Sequence, residues 1–160
     1  MNKLLKYAGL SGLAGLLAAL IFTPAALPAE EEAAYVGAEA CSSCHEGQYA
    51  SFMEKSAKAH SWKSLEKMLP KLTEDEKKEC YACHTTGYGK PGGFLSLEQT
   101  PEKANLSCEA CHGPGSLHSE SGDPEEIRRR PDVYNCVVFC HNSERVQIFK
   151  FKPMLYHGGH

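Results

Sequence analysis

The sequence predicts a mainly α-helical fold with long loops and only a thin aliphatic core of its own. Three observations lead there. Alternating apolar and polar stretches of strand length are scarce, and Val137 to Phe139 is too short to count as one. Helix starts are marked by Thr73 with Glu76, by Thr100-Pro101 and by Asp123-Pro124, while Gly and Pro gather between them. Four times in 160 residues, a cysteine pair is followed at once by histidine. The runs are Cys41-Ser-Ser-Cys44-His45, Cys80-Tyr-Ala-Cys83-His84, Cys108-Glu-Ala-Cys111-His112 and the longer Cys136-Val-Val-Phe-Cys140-His141.

C-x-x-C-H is the attachment signature of c-type haem. Two thiols add to the vinyl groups as thioethers, and the adjacent imidazole reaches the iron as proximal ligand. The thioether residues are therefore Cys41, Cys44, Cys80, Cys83, Cys108, Cys111, Cys136 and Cys140, and the proximal ligands His45, His84, His112 and His141. Structural zinc and disulfides also use paired cysteines, but neither needs histidine in that place. With 8 histidines in 160 residues, meeting one by chance after all four pairs has odds of roughly one in a hundred thousand. In the fourth motif the extra residue must bulge out between the thioethers. Four covalently bound haems in so short a chain form the core, their apolar faces replacing the missing aliphatic side chains, and the haem-free chain should be largely unfolded.

The elements follow in order. Residues 1–29 have the layout of an export signal: Lys3 and Lys6, an uncharged run from Tyr7 to Leu27, and Pro28-Ala29 before three glutamates. Retained, that segment would be a membrane anchor; cleaved, it leaves residues 30–160 as one tetrahaem domain. Residues 46–69 lack Gly and Pro after Gly47 and predict one helix, or two with a break, ended by Pro70. Thr73-Glu-Asp-Glu76 is a capping box leading into the second motif. A loop with four glycines runs from Gly87 to Phe94, to bring backbone close to a porphyrin or simply to turn at the surface. Thr100-Pro101 and Asp123-Pro124 each read as an N-cap with proline at the first helical position. Gly113-Pro114-Gly115 is a loop. Arg128-Arg129-Arg130 is expected in the last turn of a short helix, where cations offset the macrodipole.

Charge narrows the partners. The formal net charge is −3, and loss of the leader, which holds two lysines and no acid, makes it more negative. Three arginines are the densest basic cluster, which argues against nucleic acid as a partner. Redox proteins acting as donors and acceptors remain, and self-association is open.

Four histidines lie outside the motifs: His60, His118, His157 and His160. Haem iron takes a sixth ligand, and four irons match four spare imidazoles. His60, His118 and His157 are the candidate distal ligands, with His160, the last residue and prone to fray, a further candidate. Met53, Met68 and Met154 suit filling against a porphyrin face better than ligation.

Beyond the motifs themselves, the chain resembles the tetrahaem cytochrome c-554 family. The resemblance is carried by Ser56-Ala-Lys-Ala-His60 after the first motif, by the second motif continuing through Thr85-Thr86-Gly-Tyr-Gly-Lys-Pro-Gly-Gly-Phe94, by Gly113-Pro-Gly115 with His118, and by Phe149-Lys-Phe-Lys152 before His157. It implies His45 with His118 on haem one, His112 with His157 on haem three, His141 with His60 on haem four, and His84 on a five-coordinate haem two. The function it implies is electron transfer in the periplasm or at the cell surface. Two alternatives differ in class: reduction of a small nitrogen oxide at an open haem held by His84, and a subunit of an extracellular haem wire.

Overall fold

The computed structural model describes residues 32–141. Among them the chain forms only helices, 3-10 turns and loops, in agreement with the mainly α fold class. The helices are α1 (Ala38–Ser42), α2 (Glu46–Lys55), α3 (Trp62–Glu66), α4 (Glu74–His84), α5 (Glu109–His112), α6 (Ser116–Ser121) and α7 (Val133–Phe139). Short 3-10 turns occupy Ala57–His60, Leu69–Lys71, Pro101–Lys103 and Pro124–Glu126.

The helical stretch after the first motif breaks at Ser56, which is extended at φ −89° and ψ 120°. Its hydroxyl accepts from the Lys58 amide at 3.3 Å, so the side chain takes over a bond that the helix would have made. Pro70 does not end that stretch. It sits early in the 3-10 turn Leu69–Lys71, where its missing N–H costs nothing.

The capping box of α4 is formed in full. Thr73 Oγ1 accepts from the Glu76 amide at 3.4 Å, and Glu76 Oε2 accepts from the Thr73 amide at 2.8 Å. Thr73→Ala should therefore cost about 1 kcal/mol and lower the thermal midpoint of the holoprotein by a few degrees, with haem content unchanged by mass.

Trp62, Leu65, Cys80, Phe94 and Ala104 are buried together, with Leu69, Leu72, Tyr81 and Tyr88 against them. Tyr81 is central: its ring lies 5.9 Å from Trp62, 5.3 Å from Phe94 and 5.4 Å from Tyr88, tying α3 to α4 and the glycine loop. Beyond this cluster only Phe52 and Ala59 are buried apolar residues among those described. Met68, Leu95, Leu97, Tyr134 and Phe139 stay exposed.

The glycine loop is neither a free turn nor held open. Gly87 has φ +66°, and a Cβ there would come 2.6 Å from the Tyr35 ring. Tyr35 donates its amide to Pro91 O at 2.9 Å, so the loop folds over the extended segment 34–37. Thr86, fully buried, anchors the loop's base by donating Oγ1 to Asn105 O at 2.6 Å.

Two smaller expectations change. Thr100 does not cap the turn that follows it; its hydroxyl accepts from the Leu95 amide at 2.8 Å. The arginine run lies beyond the turn Pro124–Glu126, and Arg128 instead serves α5: its Nη1 donates to Cys111 O at 3.1 Å and its amide to His112 O at 3.0 Å. The cation does meet a helix-terminal carbonyl, but that of Cys111 in the third motif, seventeen residues away in sequence. Asp123 caps as expected, accepting from the Glu125 amide at 2.9 Å.

Candidate haem sites

Each motif is placed at or beside a helix. Cys41 lies in α1 and His45 at the N-cap of α2; the second motif closes α4; Cys108 is the N-cap of α5, which ends at His112; Cys136 lies in α7 and Cys140 at its C-cap. In the first motif the His45 amide donates to Cys41 O at 2.9 Å, and in the third the His112 amide donates to Cys108 O at 3.0 Å. The fourth motif makes the same closure one residue wider, with the His141 amide on Cys136 O at 3.0 Å. This is a single π-type turn, and it absorbs the extra residue while returning histidine to the carbonyl of the first cysteine.

The thiols of different motifs meet. The Cys41 and Cys108 thiols act on one another, which pushes Cys41 up and brings Cys108 down to about 7. Cys83 and Cys140 do likewise, with Cys83 down to about 6 and Cys140 pushed up. Burial pushes Cys111 up, reinforced by the neighbouring Cys136. Motif one thus lies with motif three, and motif two with motif four, where Cys83 Sγ donates to Phe139 O at 3.7 Å. All eight cysteines are free of disulfides. Among the described residues no three of His, Cys, Asp and Glu converge as a tetrahedral zinc site would need.

The imidazoles fit haem ligation. His84 Nδ1 donates to Ser61 O at 3.3 Å, His112 Nδ1 to Arg128 O at 2.7 Å and His118 Nδ1 to Asp123 O at 2.8 Å. A carbonyl on Nδ1 fixes the tautomer and leaves the Nε2 lone pair for a metal. The His45 and His118 rings have centroids 6.2 Å apart and planes within 22°. Two imidazoles on opposite sides of one iron need a separation of roughly 6 Å, a metal–nitrogen bond near 2 Å plus half a ring on each side. His60 differs, since its Nε2 donates to Met53 O at 3.0 Å, leaving Nδ1 for other use. Burial lowers the His141 pKa, as does the charge of Lys58, two residues before His60. His157, His160 and the leader lie outside the described residues.

Two positions that sequence reasoning passed over organise these motifs. Ser61 Oγ donates to His84 O at 2.7 Å and accepts from the Leu106 amide at 3.0 Å, joining the His60 turn to the second motif and to the chain entering the third. Glu109, an inner residue of the third motif, is 1% exposed and accepts three backbone N–H groups from remote segments. Burial and this carboxylate push the Tyr35 phenol up. A charged residue among otherwise uncharged inner motif positions was the available signal for Glu109; Ser61 gave none.

No helix among the described residues is long and apolar enough to cross a membrane. A family model described as cytochrome c554 and c-prime matches residues 40–113. A cytochrome c-554 of Nitrosomonas europaea (strain ATCC 19718) is 32% identical over 131 residues, covering 70% of this chain and 54% of the relative. The chain thus spans about half the length of that curated relative. The solved structure of the reduced state of cytochrome c554 from Nitrosomonas europaea superposes with a TM-score of 0.50 and 22% identity, over 78% of this chain and 83% of that one. That likeness is one of fold.

Proposed function

The chain belongs to the tetrahaem cytochrome c554 family, and on that premise we propose that it is a periplasmic electron carrier working through four covalently attached c-type haems. When bound, each haem supplies a one-electron iron centre. The polypeptide would tether the four through eight thiols and orients the imidazoles of His84 and His112 through the carbonyls of Ser61 and Arg128.

The observation that carries this reading is the approach of the motifs to one another: Glu109 of the third accepts the Gly37 amide that leads into the first at 2.8 Å, and Cys83 Sγ of the second donates to Phe139 O of the fourth at 3.7 Å. The first motif lies with the third and the second with the fourth, unlike the order in sequence. His45 and His118, with ring centroids 6.2 Å apart, would hold the iron of the first haem between them. Lys58 bearing on His141 supports His60 as the partner of the fourth iron, through Nδ1 or after release of Met53 O. The resemblance would add His157, which lies outside the described residues, to His112, and would leave His84 to hold the second iron without a partner histidine. Redox proteins are the partners.

Rapid mixing of the fully reduced holoprotein with a one-electron protein acceptor tests the conduit. All four haems should oxidise in a single phase whose rate rises with acceptor concentration, because exchange between adjoining motifs outruns the encounter. Separate haem-by-haem phases would oppose it. Carbon monoxide added to the ferrous protein should bind one iron in four, and His84→Ala should abolish that fraction; binding at none would fill the sixth position of haem two.

A further inference from the structure

We propose that Glu109 is a positioning residue for the axial pair of the first haem, although it lies inside the attachment motif of the third. The inference rests on the reading of His45 and His118 as that pair. Glu109 opens α5 directly after Cys108, and both carboxylate oxygens are used. Oε1 accepts from the Val36 amide and from the Gly115 amide, each at 2.9 Å, and Oε2 accepts from the Gly37 amide at 2.8 Å.

Each donor leads to a different half of the pair. Val36 and Gly37 run straight into α1, which carries Cys41 and, just past its end, His45. Gly37 has φ +95°, a conformation that favours glycine and that turns the extended segment into the helix. Gly115 is the N-cap of α6, in which His118 is the third residue. A Cβ at Gly115 would stand 3.2 Å from Glu109 Oε1, so glycine there lets the amide reach the oxygen.

One carboxylate therefore spans the helix before His45 and the helix bearing His118, from a base fixed by Cys108, Cys111 and His112. The 6.2 Å between the two rings is the distance that this tie sets. A second tie runs parallel to it: Ala34 donates to Ser116 Oγ at 2.9 Å and Ser116 donates its amide to Ala34 O at 3.1 Å. That tie does not touch the motif. Among the described residues no Lys or Arg forms an ion pair with Glu109, so backbone N–H groups supply its stabilisation.

A glutamine can keep two of the three bonds through its single oxygen, but its NH2 would then face the Gly37 N–H, donor against donor. An alanine leaves three amides without their acceptor. The test uses the holoprotein with Glu109→Ala, Glu109→Gln, Ser116→Ala and His118→Ala, read by electron paramagnetic resonance of the oxidised form and by haem-resolved redox titration. Glu109→Ala should abolish or displace one low-spin signal, the same one that His118→Ala removes, and raise the potential of that haem alone. Glu109→Gln should retain the signal and shift the potential in the same direction by less. Ser116→Ala should leave both unchanged.

If His118→Ala removes a low-spin signal while Glu109→Ala leaves that signal and potential as they were, the proposal fails and the ligand reading stands. If His118→Ala removes none, the ligand reading itself falls. Equal shifts in all four haems would make Glu109 a general structural residue and also overturn the proposal. Should Glu109→Ala not take up haem, Glu109→Gln decides, and an unmoved first-haem potential in it is the contrary result.

Discussion

Replacing His118 by alanine should convert one iron in four from low-spin to high-spin. It should also raise that haem's potential by more than about 60 mV, a tenfold loss in the preference for ferric iron. The imidazole is a strong donor to the ferric state, so its loss favours the ferrous one. His118 is well placed for this role. Its ring lies 6.2 Å from that of His45, and Asp123 O holds Nδ1 at 2.8 Å. The electron paramagnetic resonance spectrum and an optical redox titration check both parts. Exogenous imidazole should restore the low-spin signal; an unchanged spectrum in the variant would remove His118 from the ligand set.

The second large effect concerns the fold itself. A chain made without haem attachment, for example with all eight motif cysteines replaced by serine, should lose most of its helical circular dichroism and become protease-sensitive along its length. Among the described residues α1 and α3 have five residues, α5 four and α6 six, all far below the dozen or so at which an isolated helix begins to persist in water. Even α4, with its complete capping box, has only eleven. The apolar cluster around Trp62 and Phe94 joins α3, α4 and the glycine loop but reaches neither α6 nor α7. A haem-free chain with native-like dichroism and protease resistance would show that the polypeptide folds by itself.

Local chemistry was legible in the sequence, and remote chemistry was not. The attachment motifs, the capping box at Thr73 and the cap at Asp123 each need only neighbours within a few residues, so their spacing displays them. A break within residues 46–69 was one of the two expected readings, but its place at Ser56 was not legible, because a serine hydroxyl competing for an amide looks like any other serine in a helical run. Arg128 was expected to end its own helix and instead meets the carbonyls of α5, a choice made by how the chain returns rather than by its pattern. A free surface turn was one reading of the glycine loop, whereas Gly87 packs on Tyr35, more than fifty residues earlier. Glu109 shows the limit most clearly: its partners Val36 and Gly37 lie 73 and 72 residues away.

In the proposed function the four motifs hold four haems, three of them ligated by histidine pairs and one open. Electron paramagnetic resonance of the oxidised holoprotein, quantified against its intact mass, tests it most directly. The expected mass is that of the processed chain plus four haems, with low-spin signals integrating to three irons and a high-spin signal to one. Three haems by mass would contradict the use of the Cys136/Cys140 motif. Two or more high-spin irons would contradict the histidine pairs.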